Sequence, residues 1–175
     1  MRRTLAFATA ALLLAEPAFA KKAADTVTVS LKTATGEDAG TATFTDKKKG
    51  LEISIRLMNL PVGEHAVHIH QNPVCDAPDF KGAGGHFNPD GKQHGLQNPM
   101  GHHNGDLPKN IKVGEDHRGS ANFLVNYLTL TEGATNSVLG RSIVVHERAD
   151  DMKTDPTGNA GNRIACAVIP TVTAP

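Results

Sequence analysis

Seven of the nine histidines, at positions 65, 68, 70, 86, 94, 102 and 103, fall within a single window running from 65 to 103. Imidazole is a ligand for copper and zinc, and a set without a free thiolate disfavours iron–sulfur clusters and four-cysteine zinc sites. His68 and His70 stand two apart in a segment that reads as a strand, so both rings project from one face while Val67 and Ile69 turn to the other. One metal ion could receive both. Downstream come Gly85-His86-Phe87-Asn88-Pro89, His94-Gly95 and His103-Asn104-Gly105-Asp106, with glycines that let backbone fold tightly around a small centre and with Asp106 as a hard oxygen donor. Far along the chain, Val144-Val145-His146 ends an apolar strand in one more histidine.

The elements that must position these groups are strands. Period-two alternation or β-rich composition marks Thr26 to Leu31, Ala39 to Thr45, Leu51 to Leu57, His65 to His70, Ala121 to Tyr127, Ser142 to His146 and Ile164 to Ile169, and Asn110 to Val113 makes an eighth. Turn signals such as Lys49-Gly50, Val113-Gly114 and Arg118-Gly119 separate them. The only helical candidate is a single turn within Glu132 to Leu139. Short strands joined by glycine-containing turns imply an all-β sandwich or barrel, because each half-buried strand needs a second layer. Two stretches break the rhythm, Gln71 to Pro108 and Arg148 to Arg163, and loops of such length in a compact domain are functional or disordered.

Residues 1–20 read as a secretory signal peptide: Arg2 and Arg3, an apolar run, then Ala18-Phe19-Ala20. This leaves one domain, residues 21–175, exported to the periplasm or the exterior, with no later run long enough to span a membrane. Removing Arg2, Arg3 and Glu16 takes Lys plus Arg from 18 to 16 and Asp plus Glu from 18 to 17. Near-neutral charge and the lack of tryptophan argue against a nucleic-acid partner. In an oxidising compartment the two cysteines, Cys75 and Cys166, are expected to pair.

Taken in order, His68-x-His70, Gly85-His86-Phe87-Asn88-Pro89, His94-Gly95, His103-x-Gly105-Asp106-Leu107, Val144-Val145-His146 and Arg163-x-Ala165-Cys166 closely resemble the copper,zinc superoxide dismutases, over about residues 27 to 169. The resemblance implies an eight-stranded Greek-key barrel or sandwich of immunoglobulin-like arrangement with two long functional loops. It implies one copper ion per subunit on His68, His70, His86 and His146, and one zinc ion on His86, His94, His103 and Asp106. His86 would serve both, as a ring with two nitrogens can. The His-x-Gly-Asp spacing selects His103 over its neighbour His102. Asp150 resembles the family's aspartate linking a copper ligand to a zinc ligand, here His68 and His94, and Arg163 its superoxide-docking arginine. His86 and Arg163 then carry the catalysis, with superoxide as substrate. Lys153 is a weaker match to a guidance position, since 151–155 follows the eukaryotic pattern only loosely, while Thr157-Gly158-Asn159-Ala160-Gly161 matches better and places Thr157 at the channel. His65 and His117 match no motif and are expected at the solvated surface. The stretch between Cys75 and His86, where subunit contacts often differ in the family, is short compared with many periplasmic relatives, which makes a homodimer doubtful without excluding it.

Overall fold

The computed structural model describes residues 25–171, so the signal segment expected at 1–20 lies outside the described residues. Nine strands follow in chain order: β1 (Thr26–Thr33), β2 (Asp38–Lys47), β3 (Gly50–Met58), β4 (Gly63–His65), β5 (Val67–His70), β6 (Ile111–Val113), β7 (Arg118–Val125), β8 (Arg141–His146) and β9 (Arg163–Ile169). They form one antiparallel sheet in the order β4-β6-β7-β3-β2-β1-β9-β8-β5. Its two outermost strands, β4 and β5, are separated in sequence by Ala66 alone, so the sheet rolls into a nearly closed barrel. Closure is sealed at that corner, where Ala66 donates to the Arg148 carbonyl (2.9 Å) and accepts from the His146 N–H (2.9 Å). From β3 the chain crosses to β4 and β5, and only later returns to lay β7 beside β3, a long connection of Greek-key type.

One strand expected from His65 to His70 is thus two, which accounts for nine strands rather than the eight expected. Alternation continues through Ala66 even though the pairing partner changes from β6 to β8. The Arg118-Gly119 turn signal is also corrected. Gly119 lies inside β7, opposite Val113 of β6, and a Cβ there would sit 2.6 Å from the Lys112 carbonyl, so glycine serves close strand approach rather than a turn. Glu132 to Leu139 forms hydrogen-bonded turns instead of a helix, and the one helical turn among the described residues is the 3-10 segment Lys81–Ala83.

Alternation supplies the core. Leu31, Phe44, Leu51, Ile53, Ile55, Ile69 and Ile143 all point into the barrel and are fully buried, each contributing roughly 1.5–3 kcal/mol of hydrophobic stabilisation. Strands β5 and β8 are buried on both faces, the inner by this core and the outer by the loop 71–110. That loop lies along β5, with Ile69 N–H on Gly105 O (2.9 Å) and Phe87 N–H on Ile69 O (2.8 Å). Cys75 and Cys166 form a disulfide with a Cα–Cα distance of 5.7 Å, tying the loop to β9 across a sequence separation of 91. Cys75→Ser is expected to lower the unfolding free energy by about 2–5 kcal/mol. Denaturant titration would measure it, and an unchanged midpoint would mean the loop is held without the cross-link.

Candidate metal centre

On the outer face of β5 and β8, two groups of donors adjoin. The first comprises His68 and His70 from β5, His146 from β8 and His86 from the loop, all buried, with one ligand atom from each lying within 4.8 Å of the others. Hydrogen bonds fix which nitrogen each ring offers. His70 Nδ1 donates to the Gly84 carbonyl (3.0 Å) and His146 Nδ1 to the Gly161 carbonyl (3.4 Å), leaving their Nε2 atoms 3.3 Å apart. His68 donates from Nε2 to Asp150 Oδ2 (2.8 Å), so its Nδ1 remains. Burial, reinforced by neighbouring imidazoles, holds His70 and His146 far below the usual histidine range, and burial brings His86 down to about 3. These rings are therefore neutral and keep their lone pairs.

Two of those lone pairs, His68 Nδ1 and His86 Nε2, are buried without any hydrogen-bond partner. An unmet buried polar atom costs about 1–3 kcal/mol. Four inward-facing imidazole nitrogens, two of them orphaned, fit a copper ion in donor type and number.

The second group gathers on Asp106. Its Oδ1 lies 3.0 Å from His86 Nδ1, 2.9 Å from His94 Nδ1 and 3.5 Å from His103 Nδ1, while Oδ2 accepts the N–H groups of Gly95 (2.9 Å) and His103 (3.0 Å). Burial opposes the charge on Asp106, but hydrogen bonds from the three histidines outweigh it and hold the carboxyl well below its usual range. Burial likewise lowers His94, yet its bonds to Asp106 and Asp150 prevail and raise it to about 9. Three imidazoles and a carboxylate match tetrahedral zinc. By proximity alone His68 also falls in this group, with His86, His94 and Asp106. One nitrogen lone pair serves one ion, however, and His68 has only Nδ1 to give; His103, whose Nδ1 is 3.4 Å from His86 Nδ1, is the better fourth member. His86 thus faces both groups, Nε2 toward one and Nδ1 toward the other.

Around the donors lies a set of supports. Asp150 joins the groups, Oδ2 to His68 and Oδ1 to His94 Nε2 (3.0 Å), and Asn110 clamps its backbone through a reciprocal pair of hydrogen bonds (2.8 and 2.9 Å). Asp155, in the stretch that resembles guidance positions, instead accepts the His94 N–H (2.5 Å) and lies 3.7 Å from His103 Nε2. Neither Asn110 nor Asp155 carries a local sequence signal that distinguishes it from other loop polar residues. His65 corrects an expectation: it is buried, with ring nitrogens 2.8 Å from the carbonyls of His146 and Pro61. It ends β4, next to the change of partner at Ala66, and packs against the His146 backbone. His117 is exposed as expected, touching the Leu60 carbonyl (2.9 Å). His102 turns away from the donors, bonding the His103 carbonyl (2.6 Å) and packing on Tyr127.

A bulge brings Arg163 alongside. Val145 pairs with Ala165, but His146 pairs with Arg163, so Ile164 is the extra residue that sets the arginine opposite the histidine. The guanidinium is half-buried, which lowers its pKa, and donates Nη1 to Phe80 O (2.6 Å) and Nη2 to Gly84 O (2.5 Å). Lys153 and Thr157 are exposed on the loop 147–162.

A nearly closed antiparallel barrel carrying two adjoining imidazole-rich donor sets, each of which could hold a metal ion, defines the class of the protein. Residues 38–169 match the copper/zinc superoxide dismutase (SODC) family, and the chain belongs to it. A superoxide dismutase [Cu-Zn] of Deinococcus radiodurans is 46% identical over 155 residues, covering 82% of this chain and 83% of that one. Superoxide dismutase [Cu-Zn] 1 of Aquifex aeolicus is 45% identical over 138 residues, 77% and 81% of the respective chains. A solved structure of a SOD-like protein from Bacillus subtilis superposes with a TM-score of 0.77 at 37% identity, over 81% of this chain and 97% of that one.

Proposed function

We propose that this chain disproportionates superoxide outside the cytosol, converting two superoxide anions and two protons into dioxygen and hydrogen peroxide. His68, His70, His86 and His146 would hold copper, and His86, His94, His103 and Asp106 zinc, with His86 bridging them. The observation that carries the reading is His86 itself, whose Nε2 is orphaned among three other imidazoles while Nδ1 sits in the Asp106 group. When bound, copper supplies the one-electron couple and zinc a fixed positive charge.

The chain's own residues do the rest. Arg163 keeps its charge and retains N–H groups beyond the two bonded to carbonyls, so it can dock a small anion beside His146. His86 Nε2 holds a proton in one half-cycle and yields it to the nascent peroxide in the other. Asp150 keeps the proton of His68 on Nε2, so that Nδ1 stays a donor. Lys153 and Thr157 guide the anion from the rim of the loop 147–162. The disulfide and the expected leader fit an exported protein.

The direct test is superoxide consumption by the copper- and zinc-loaded protein; activity no greater than that of free copper would sink the proposal. Arg163→Ala is expected to lower kcat/KM by roughly 10- to 100-fold, the range for losing hydrogen bonds to a charged group, with both metals retained. An unaltered rate would recast the chain as a copper-holding module.

A further inference from the structure

We infer that Phe80 is a positioning residue for Arg163, acting through a clamp of two carbonyl oxygens at the ends of one 3-10 turn. The inference rests on the docking role given to Arg163 above. Phe80 O and Gly84 O flank the turn Lys81–Ala83, and each accepts two donors. Phe80 O takes the Ala83 N–H (3.1 Å) and Arg163 Nη1 (2.6 Å). Gly84 O takes His70 Nδ1 (3.0 Å) and Arg163 Nη2 (2.5 Å). One turn therefore fixes the guanidinium plane and, through Gly84, the ring of a proposed copper ligand.

What holds the turn is the Phe80 side chain. Phe80 is in the left-handed region (φ 52°, ψ 23°), a conformation that an aromatic L-residue rarely adopts. Such a conformation persists only where surroundings over-determine it. Here they do: the ring is buried in a small second core with Ala83, Val144 and Cys166, against Ala34 and Cys75. This cluster is separate from the barrel interior. Its contents explain why a phenylalanine stands where the backbone favours glycine: the ring is the weight that keeps the Phe80 carbonyl aimed at Arg163. A glycine would adopt the angle and lose the anchor.

Two readouts test this in the full-length protein. In the diamagnetic zinc-loaded chain, 15N NMR of the Arg163 guanidinium should show separate, slowly rotating Nη groups, and Phe80→Ala should speed that rotation at least about tenfold. In the copper- and zinc-loaded chain, azide affinity followed by the copper absorption band should weaken about tenfold in Phe80→Ala, stay near wild type in Phe80→Leu, and show no further loss when Phe80→Ala is added to Arg163→Ala. Unchanged rotation in a folded Phe80→Ala protein, or an equal loss of azide affinity in the Arg163→Ala background, would overturn the assignment. Should Phe80→Ala fail to fold, Phe80→Gly, which adopts the left-handed angle without strain and lacks the ring, carries the same comparison with the same deciding outcomes. The NMR arm does not require dismutase activity, so failure of the functional reading and failure of the clamp are told apart.

Discussion

Asp106→Ala is expected to abolish zinc binding while leaving His68, His70 and His146 in place, and His86→Ala to disturb both donor groups at once. Asp106 is fully buried and is the single carboxylate on which His86, His94 and His103 converge, with two backbone N–H groups on its other oxygen. Its loss removes a donor and leaves three imidazoles with no shared anion, so zinc affinity should fall by more than about 100-fold, beyond the 10- to 100-fold typical of outer partners. Removing one member of a buried ionic group also destabilises by about 3–5 kcal/mol. His68, His70 and His146 keep their own hydrogen bonds, to Asp150, Gly84 and Gly161, none of which runs through Asp106. Copper content should therefore hold in Asp106→Ala. In His86→Ala the copper absorption band and the zinc stoichiometry should change together. Metal analysis with visible spectroscopy decides it: zinc retained in Asp106→Ala, or a copper band untouched in His86→Ala, would contradict the bridged arrangement.

How much of this is legible in the sequence divides along a physical line. His68 and His70 were readable as a same-face pair because strand periodicity is a local property, and the donor order from His86 to Asp106 is contiguous sequence. The two long loops were readable as well, since Gln71 to Pro108 and Arg148 to Arg163 lack any alternation. What stayed hidden depends on which strand lies next to which. Alternation cannot reveal that the chain changes partners at Ala66, and that change buries His65. Nor can it reveal the bulge at Ile164; in an unbroken register His146 would face that isoleucine rather than Arg163. Asn110 and Asp155 gain their importance only once the loop 147–162 lies against the loop 71–110, so their neighbours in sequence say nothing of it. Phe80 belongs with them: its left-handed backbone and its place behind the arginine are products of the assembled fold.

The same dependence on assembled geometry makes Gly158→Ala the sharpest small change available. Gly158 has φ +61°, and a Cβ built on it would overlap Asp150 Oδ1 and come within 2.7 Å of His94 Nε2. Asp150 has little room to retreat, because its backbone is clamped by Asn110 and its Oδ1 also accepts the Met152 N–H (2.6 Å). One methyl group should therefore push the carboxylate off His94, leave His68 less firmly held, and lower metal affinity by about 10- to 100-fold, the effect expected for losing an outer hydrogen-bond partner. Gly91→Ala is the control, since Gly91 has almost the same backbone (φ +63°) with nothing within 4 Å of the added carbon. It should cost only the left-handed penalty of about 1–2 kcal/mol and leave metal binding alone. Competition with a chelator, run on both variants, separates the two contributions. If the variants lose metal equally, backbone strain rather than displacement of Asp150 is responsible, and the aspartate does not hold the two donor groups together.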